Sequence, residues 1–157
     1  MKLKVGIFLV IAAAAMTACY ATVTVRAAAQ ESTSSTSPGA AKNNTWDGIY
    51  TKDQAAKGET LYGDQCSKCH GADGSGADAP TLVGGDFASD WDALTIGELF
   101  NRVRDTMPQD NPQSLSRDDT AALLAFIFAK NNFPASDTPL TSDGSALGKM
   151  KYLANKP

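Results

Sequence analysis

The chain has 157 residues, 43% of them hydrophobic, with 14 Lys+Arg against 17 Asp+Glu and a formal net charge of −3. That size allows one domain with extensions, and that balance supports a packed core and excludes global disorder. Mild acidity gives no basic footprint, so no nucleic-acid partner is expected. The charge is uneven: residues 46–134 hold 7 Lys+Arg and 14 Asp+Glu, about −7. Such a surface either meets a partner with a basic docking patch or serves solubility alone.

In chain order, Lys2 and Lys4 form a positive start and an uncharged apolar run begins at Val5. Together they read as an export signal over residues 1–29. Its processing has three readings. Ala27-Ala28-Ala29 before Gln30 suits cleavage by signal peptidase. Met16-Thr17-Ala18-Cys19 resembles a lipobox, which would leave a lipidated Cys19. Uncleaved, Val5 to Val25 is long enough to cross a bilayer as a membrane tether, and the two lysines set its orientation. Each delivers the mature domain to the periplasm or another extracytoplasmic compartment. Residues 30–45 are rich in Ser, Thr, Gly and Pro without hydrophobic period, which predicts a flexible linker.

The ordered domain is expected over 46–134, and three helices follow from caps and periodicity. Thr51 caps the first, with Gln54 as capping-box partner and Ala55, Gly58, Leu61 and Tyr62 on one face. Thr95 caps the second, with Glu98 three places on and Leu99, Phe100 and Val103 as its apolar side. Ser116 caps the third, Asp118 and Asp119 suit its first turn and Lys130 its last. Its interior, Leu123, Leu124, Phe126, Ile127 and Phe128, is almost wholly apolar and predicts deep burial. Gly71 to Asp92 has no period, and so long a connection needs something to pack on. No strand alternation occurs. Residues 135–157 read as a polar C-terminal tail with no assigned place.

The chemistry centres on Cys66-Ser67-Lys68-Cys69-His70. Three cysteines, one of them in the leader, exclude a disulfide framework, and His70 is the only histidine. The pentapeptide is the c-type haem attachment motif. Two thiols three residues apart share a helical face, so both can form thioethers with one porphyrin, and His70 follows as an iron ligand. A thioredoxin-like redox pair would want a βαβ setting, and a zinc site would want further Cys or His ligands; neither is present. With no second histidine, methionine is the natural second axial donor. Met1 and Met16 belong to the leader and Met150 to the tail, which leaves Met107, just before Pro108.

Cys66–His70, Gly71, Ala79-Pro80-Thr81-Leu82 and Thr106-Met107-Pro108 follow in the order of the class I monohaem cytochromes c, which residues 46–134 resemble. Asp47-Gly48-Ile49-Tyr50, Met107 to Pro112 and Ser114-Leu115-Ser116 look like the cytochrome domains that accompany quinoprotein (PQQ-type) dehydrogenases, although a Gly often stands there in place of Gln113. The resemblance implies an all-α fold, a small cytochrome c fold of three to five helices wrapped around one covalently bound haem c with its iron. It also implies that the Pro80 carbonyl accepts from His70, that Leu82 packs on the haem face, and that Gly58 and Tyr62 cross the third helix near Leu124 and Phe128. Trp91 and Arg104 are candidates for the haem propionates.

The expected function is electron transfer by an electron carrier, not an enzyme. His70 and Met107 are the axial ligands, and the partners are a dehydrogenase donor and an oxidase or cytochrome acceptor. A monomer is expected. Two rivals are a fixed subunit of a dehydrogenase complex and a five-coordinate haem protein that binds peroxide or a gas.

Overall fold

The computed structural model describes residues 42–157; the leader, its three readings, and the linker up to residue 41 lie outside the described residues. Six α-helices follow a 3-10 turn at Thr45–Asp47: α1 (Lys52–Gln65), α2 (Ser67–His70), α3 (Gly84–Trp91), α4 (Ile96–Thr106), α5 (Arg117–Lys130) and α6 (Gly144–Leu147). The described residues contain no strand, only isolated bridge pairs at Lys151. The fold is all-α as expected. Four helices run for two turns or more, and α2 and α6 are single turns. None of the described helices is long and apolar enough to cross a membrane.

The caps explain where the helices start. Thr51 Oγ1 accepts from Gln54 N at 3.1 Å to open α1. Thr95 and Glu98 form a complete capping box on α4, with Thr95 N donating to Glu98 Oε2 at 2.7 Å. Ser116 Oγ accepts from Asp119 N at 3.0 Å to open α5. The box expected at α1 is only half made, because the Gln54 amide is used elsewhere. It donates to Leu140 O at 2.9 Å and accepts from Leu140 N at 2.8 Å, holding a segment far along the chain.

α5 is the centre of the core: every residue from Thr120 to Phe128 is buried. An all-apolar helix is stable only when covered on all sides. α1 covers one side with Ala55, Gly58 and Tyr62, and α4 another with Leu99 and Phe100. The approach of α1 is backbone to backbone. A Cβ placed on Gly58 would meet the Ala122 carbonyl oxygen and lie 2.9 Å from Phe126 Cβ. Tyr62 stacks on Phe126 with ring centroids 4.9 Å apart. The crossing therefore centres on Ala122 and Phe126, not on Leu124 and Phe128 as expected.

Three segments without a sequence period are organised by packing. α3 lies inside the stretch 71–92 and is anchored by buried Phe87. The folded part starts before Trp46: Thr45 is fully buried, and Asn44 caps the 3-10 turn with Asp47. Residues 135–157 belong to the same packing, so Pro134 does not bound the fold. Leu140, Leu147 and Tyr152 are buried. Thr45 N donates to Lys151 O at 3.1 Å, Ile96 N to Met150 O at 2.9 Å and Tyr152 N to Leu94 O at 2.9 Å. A Cβ on Gly97 would sit 3.0 Å from Gly148 N, so the turn after α6 rests directly on α4.

Two outcomes test this packing. Gly58→Ala forces backbone apart at the α1–α5 crossing and is expected to cost about 1–3 kcal/mol in denaturant unfolding. Gly63→Ala, on the same helix with nothing within 4 Å of its Cβ, is expected to be stabilising by about 0.5–1 kcal/mol. The second concerns acid. Lys57 Nζ lies 2.7 Å from Asp119 Oδ1, tying α1 to α5. The Lys57 ammonium, then the Ser116 hydroxyl, hold the Asp119 carboxyl below its usual 3.8. A lowered folded pKa stabilises above the unfolded value and is lost as pH falls through the folded one. Asp119→Asn should therefore flatten the acid limb of the stability–pH curve below about pH 4.

Candidate functional site

α1 ends at Gln65, and Cys66 departs from helical backbone at φ −127°. The chain then turns once more as α2, with Cys66 N donating to Tyr62 O at 2.9 Å and His70 N to Cys66 O at 3.0 Å. The motif is thus an extension of the helix that crosses α5, and its position is set by that crossing. Cys66 is half-buried and packs against the core, Cys69 is exposed, and neither is in a disulfide.

His70 is 8% exposed, and its Nδ1 lies 2.8 Å from Pro80 O. A carbonyl can only accept, so Nδ1 carries the proton and Nε2 of the neutral ring keeps its lone pair. This is the arrangement of a metal-ligating imidazole oriented from behind. The expected Pro80 contact is thereby present in the geometry.

The loop that brings Pro80 to His70 is tied back to the motif. Gly76 N donates to His70 O at 2.8 Å and Ala79 N to Cys69 O at 3.0 Å. Gly71 takes φ +81°, and a Cβ there would meet Gly76 O at 3.0 Å, which calls for glycine. Two further residues hold this loop: Tyr62, expected only at the helix crossing, and Asn131, missed in sequence. Tyr62 Oη donates to Gly71 O at 2.6 Å. Its phenol is pushed up to about 12, first by burial and then by the charges of Cys66 and Asp73, so it remains a donor. Asn131 Nδ2 donates to Leu82 O at 2.9 Å while Asn131 Oδ1 accepts from Gly84 N at 3.0 Å. A polar residue just after a buried helix was the available signal for Asn131; its partners lie about fifty positions earlier, beyond any local pattern.

The remaining predicted residues have these places. Leu82 and Trp91 are half-buried and pack against the core, with Trp91 6.3 Å from Phe87 between ring centroids. Met107 is half-buried at the end of α4, where its N–H closes the helix on Val103 O at 2.9 Å. Met150 packs against the core, and Met107 lies outside that packing. Arg104 bonds Asp105 at 3.2 Å through one terminal nitrogen, while its Nε is buried with no partner.

The donor set answers the rival chemistries. Burial first, then the Cys69 charge, push the Cys66 thiol up to about 11, the reverse of what a redox dithiol uses. Among the described residues no three His, Cys, Asp or Glu side chains are arranged to hold a metal ion. A porphyrin brings four nitrogens of its own, so one or two protein ligands suffice for its iron. An imidazole oriented through Nδ1, two unpaired thiols in the same turn and a buried unpartnered guanidinium nitrogen fit a haem.

Gln113 has φ +64°, in the left-handed region that a side chain resists. This is the position where the resembling cytochromes often carry glycine. Gln113→Gly is expected to stabilise the protein by up to about 1 kcal/mol, read as a rise in Tm.

Comparison with known proteins finds these likenesses. Residues 53–127 match the family described as cytochrome C oxidase, cbb3-type, subunit III. A thiosulfate dehydrogenase of Stutzerimonas stutzeri (strain A1501) is 32% identical over 109 residues, covering 64% of this chain and 34% of that protein. The chain thus matches about a third of the length of this curated relative. The crystal structure of the sulfane dehydrogenase SoxCD from Paracoccus pantotrophus aligns with a TM-score of 0.43 at 27% identity, over 68% of this chain and 61% of that one.

Proposed function

Since this chain carries a cytochrome c domain of the cbb3-type subunit III kind, we propose that it passes single electrons between extracytoplasmic redox proteins through one haem c. Cys66 and Cys69 would hold the haem covalently, with His70 and Met107 as its axial ligands. The observation that supports this most is the His70 Nδ1 bond to Pro80 O, which leaves Nε2 as the lone-pair donor. The bound haem would supply an iron centre that changes oxidation state without a change of ligands. Everything else falls to the protein. The His70 ring is fixed in orientation by its Nδ1 contact to the Pro80 carbonyl. The Gly71–Leu82 loop is locked through Tyr62 and Asn131. Leu82 supplies apolar cover, while Trp91 and the unpartnered Nε of Arg104 are the candidates to meet the propionates. Burial and a His/Met pair both favour the reduced state and raise the potential.

Cys69 is exposed and Asp64, Asp73 and Asp78 are exposed around the motif. This is consistent with docking near the attachment site onto a partner with a basic patch, which speeds encounter at low salt. A second reading is favoured by the curated relative, which is named a dehydrogenase and of which this chain matches about a third. In that reading the domain is the fixed cytochrome module of a dehydrogenase complex, and it co-purifies with its catalytic partner at high salt. The quinoprotein donor expected from the resemblance belongs to this proposal as one candidate partner.

Optical spectra of the mature protein, oxidised, reduced and then exposed to carbon monoxide, test the ligand set. Low-spin spectra, a weak far-red sulfur-to-iron band and no response to carbon monoxide are expected. Met107→Ala should abolish the band and open the iron to carbon monoxide. High-spin, carbon-monoxide-sensitive spectra in the unaltered protein would instead establish the five-coordinate rival.

A further inference from the structure

Buried polar groups are nearly always paired, and two side-chain atoms among the described residues are not: Arg104 Nε and Tyr152 Oη. Tyr152 is the more telling. It lies in the C-terminal segment that sequence left unplaced, and it is fully buried at 0% exposure. We infer that the Tyr152 hydroxyl donates a hydrogen bond to a propionate carboxylate of the haem, so that the C-terminal segment is part of the cofactor site. The inference rests on the haem reading above and extends it to a residue outside the attachment motif and the methionine loop.

The hydroxyl is not free to find another partner. Its ring is wedged between Phe87 at 5.9 Å, Phe128 at 6.3 Å and Phe133 at 5.3 Å, centroid to centroid. Its backbone is fixed on both sides, by Tyr152 N to Leu94 O at 2.9 Å and Ala93 N to Tyr152 O at 2.9 Å. These bonds place Tyr152 beside the corner between α3 and α4, at the N-terminal end of α4. α4 is also the helix that ends at Met107 and carries Arg104, the other unpartnered donor. Leaving a hydroxyl unpaired in such a place is destabilising, a penalty that a bound acceptor removes.

The nearby protein charges do not supply that acceptor. Asp92 accepts from Ala154 N at 2.9 Å. Lys151 Nζ donates to Ala93 O at 3.0 Å. Lys130 lines the same surface cleft as Tyr152, with Asn131 and Phe133, and it too is a donor. Haem brings two carboxylates, and Asp92, the carboxylate whose charge reaches the phenol, makes no hydrogen bond to it. Burial and the Asp92 charge also push the Tyr152 phenol up to about 12, so it stays a donor across the working range.

The test compares the holoprotein with its Tyr152→Phe variant, which removes one oxygen and keeps the ring. Covalent haem is first confirmed by mass in both. The midpoint potential is then measured against pH, alongside redox-difference infrared spectra of the carboxylates. A hydrogen bond to the ionised form lowers its pKa, so its loss should move the propionate inflection up by about one pH unit. The carboxylate bands should change with it. Tyr50→Phe is the control, because Tyr50 Oη donates to Phe133 O at 2.7 Å; it should lower stability without moving the inflection. If Tyr152→Phe and the unaltered holoprotein give superimposable profiles and bands, the hydroxyl is served by a trapped water or by nothing, and the inference is overturned while the haem reading stands. If the unaltered protein carries no haem, both fall.

Discussion

The contact on which the site depends is the meeting of α1 and α5 at Gly58. Because glycine presents no side chain there, the α1 backbone lies against the Ala122 carbonyl, and Tyr62 one turn later reaches Phe126. The motif follows within a few residues of that contact, so the helix crossing fixes where Cys66, Cys69 and His70 stand. Tyr62 serves twice: its ring locks the crossing and its hydroxyl holds Gly71, the first residue after His70. The helix crossing and the placement of the turn after His70 are thereby joined in one side chain.

A second set of bonds closes the other side. The carbonyls of Cys69 and His70 accept from Ala79 and Gly76, and Asn131 holds the loop from the end of α5. His70 is thus gripped through its backbone by the loop that also grips its ring. Rigid support of this kind suits electron transfer, in which reorganisation at the metal must be small. It also accounts for the glycines between positions 71 and 76, where left-handed backbone brings peptide groups closer than a Cβ would allow.

Much of this was legible in sequence because its causes are local. The hydroxyl caps Thr51, Thr95 and Ser116 declare themselves by spacing, α5 by its unbroken apolar run, and the attachment motif by one histidine beside a cysteine pair. The Pro80 contact came from resemblance, since ten residues of loop separate it from His70. What was illegible depends on distant partners. α3 has eight residues and is held by Phe87 against an aromatic cluster drawn from three parts of the chain. Gln54 looked like a capping-box partner and instead holds Leu140, 86 residues away. The C-terminal segment is polar on average, and only its few apolar residues point inward, too sparsely to show a period. Arg104 and Tyr152 are visible as unusual only once burial is known.

The pairing of Thr45 with Lys151 and Leu153 spans 108 positions at its widest. It has a consequence for how the molecule comes into being. A chain synthesised or threaded from its N-terminal side presents Thr45 long before its partners exist. The ring of contacts around α5 therefore stays open until Lys151 and Leu153 arrive. Until then Phe128 lacks the Tyr152 ring and Gly97 the turn after α6, and the cysteine pair sits in an unsealed scaffold. A cofactor of the proposed kind would enter most easily in the interval between emergence and closure. Closure is in this sense ordered by topology, with the segment around Lys151 acting as the latch.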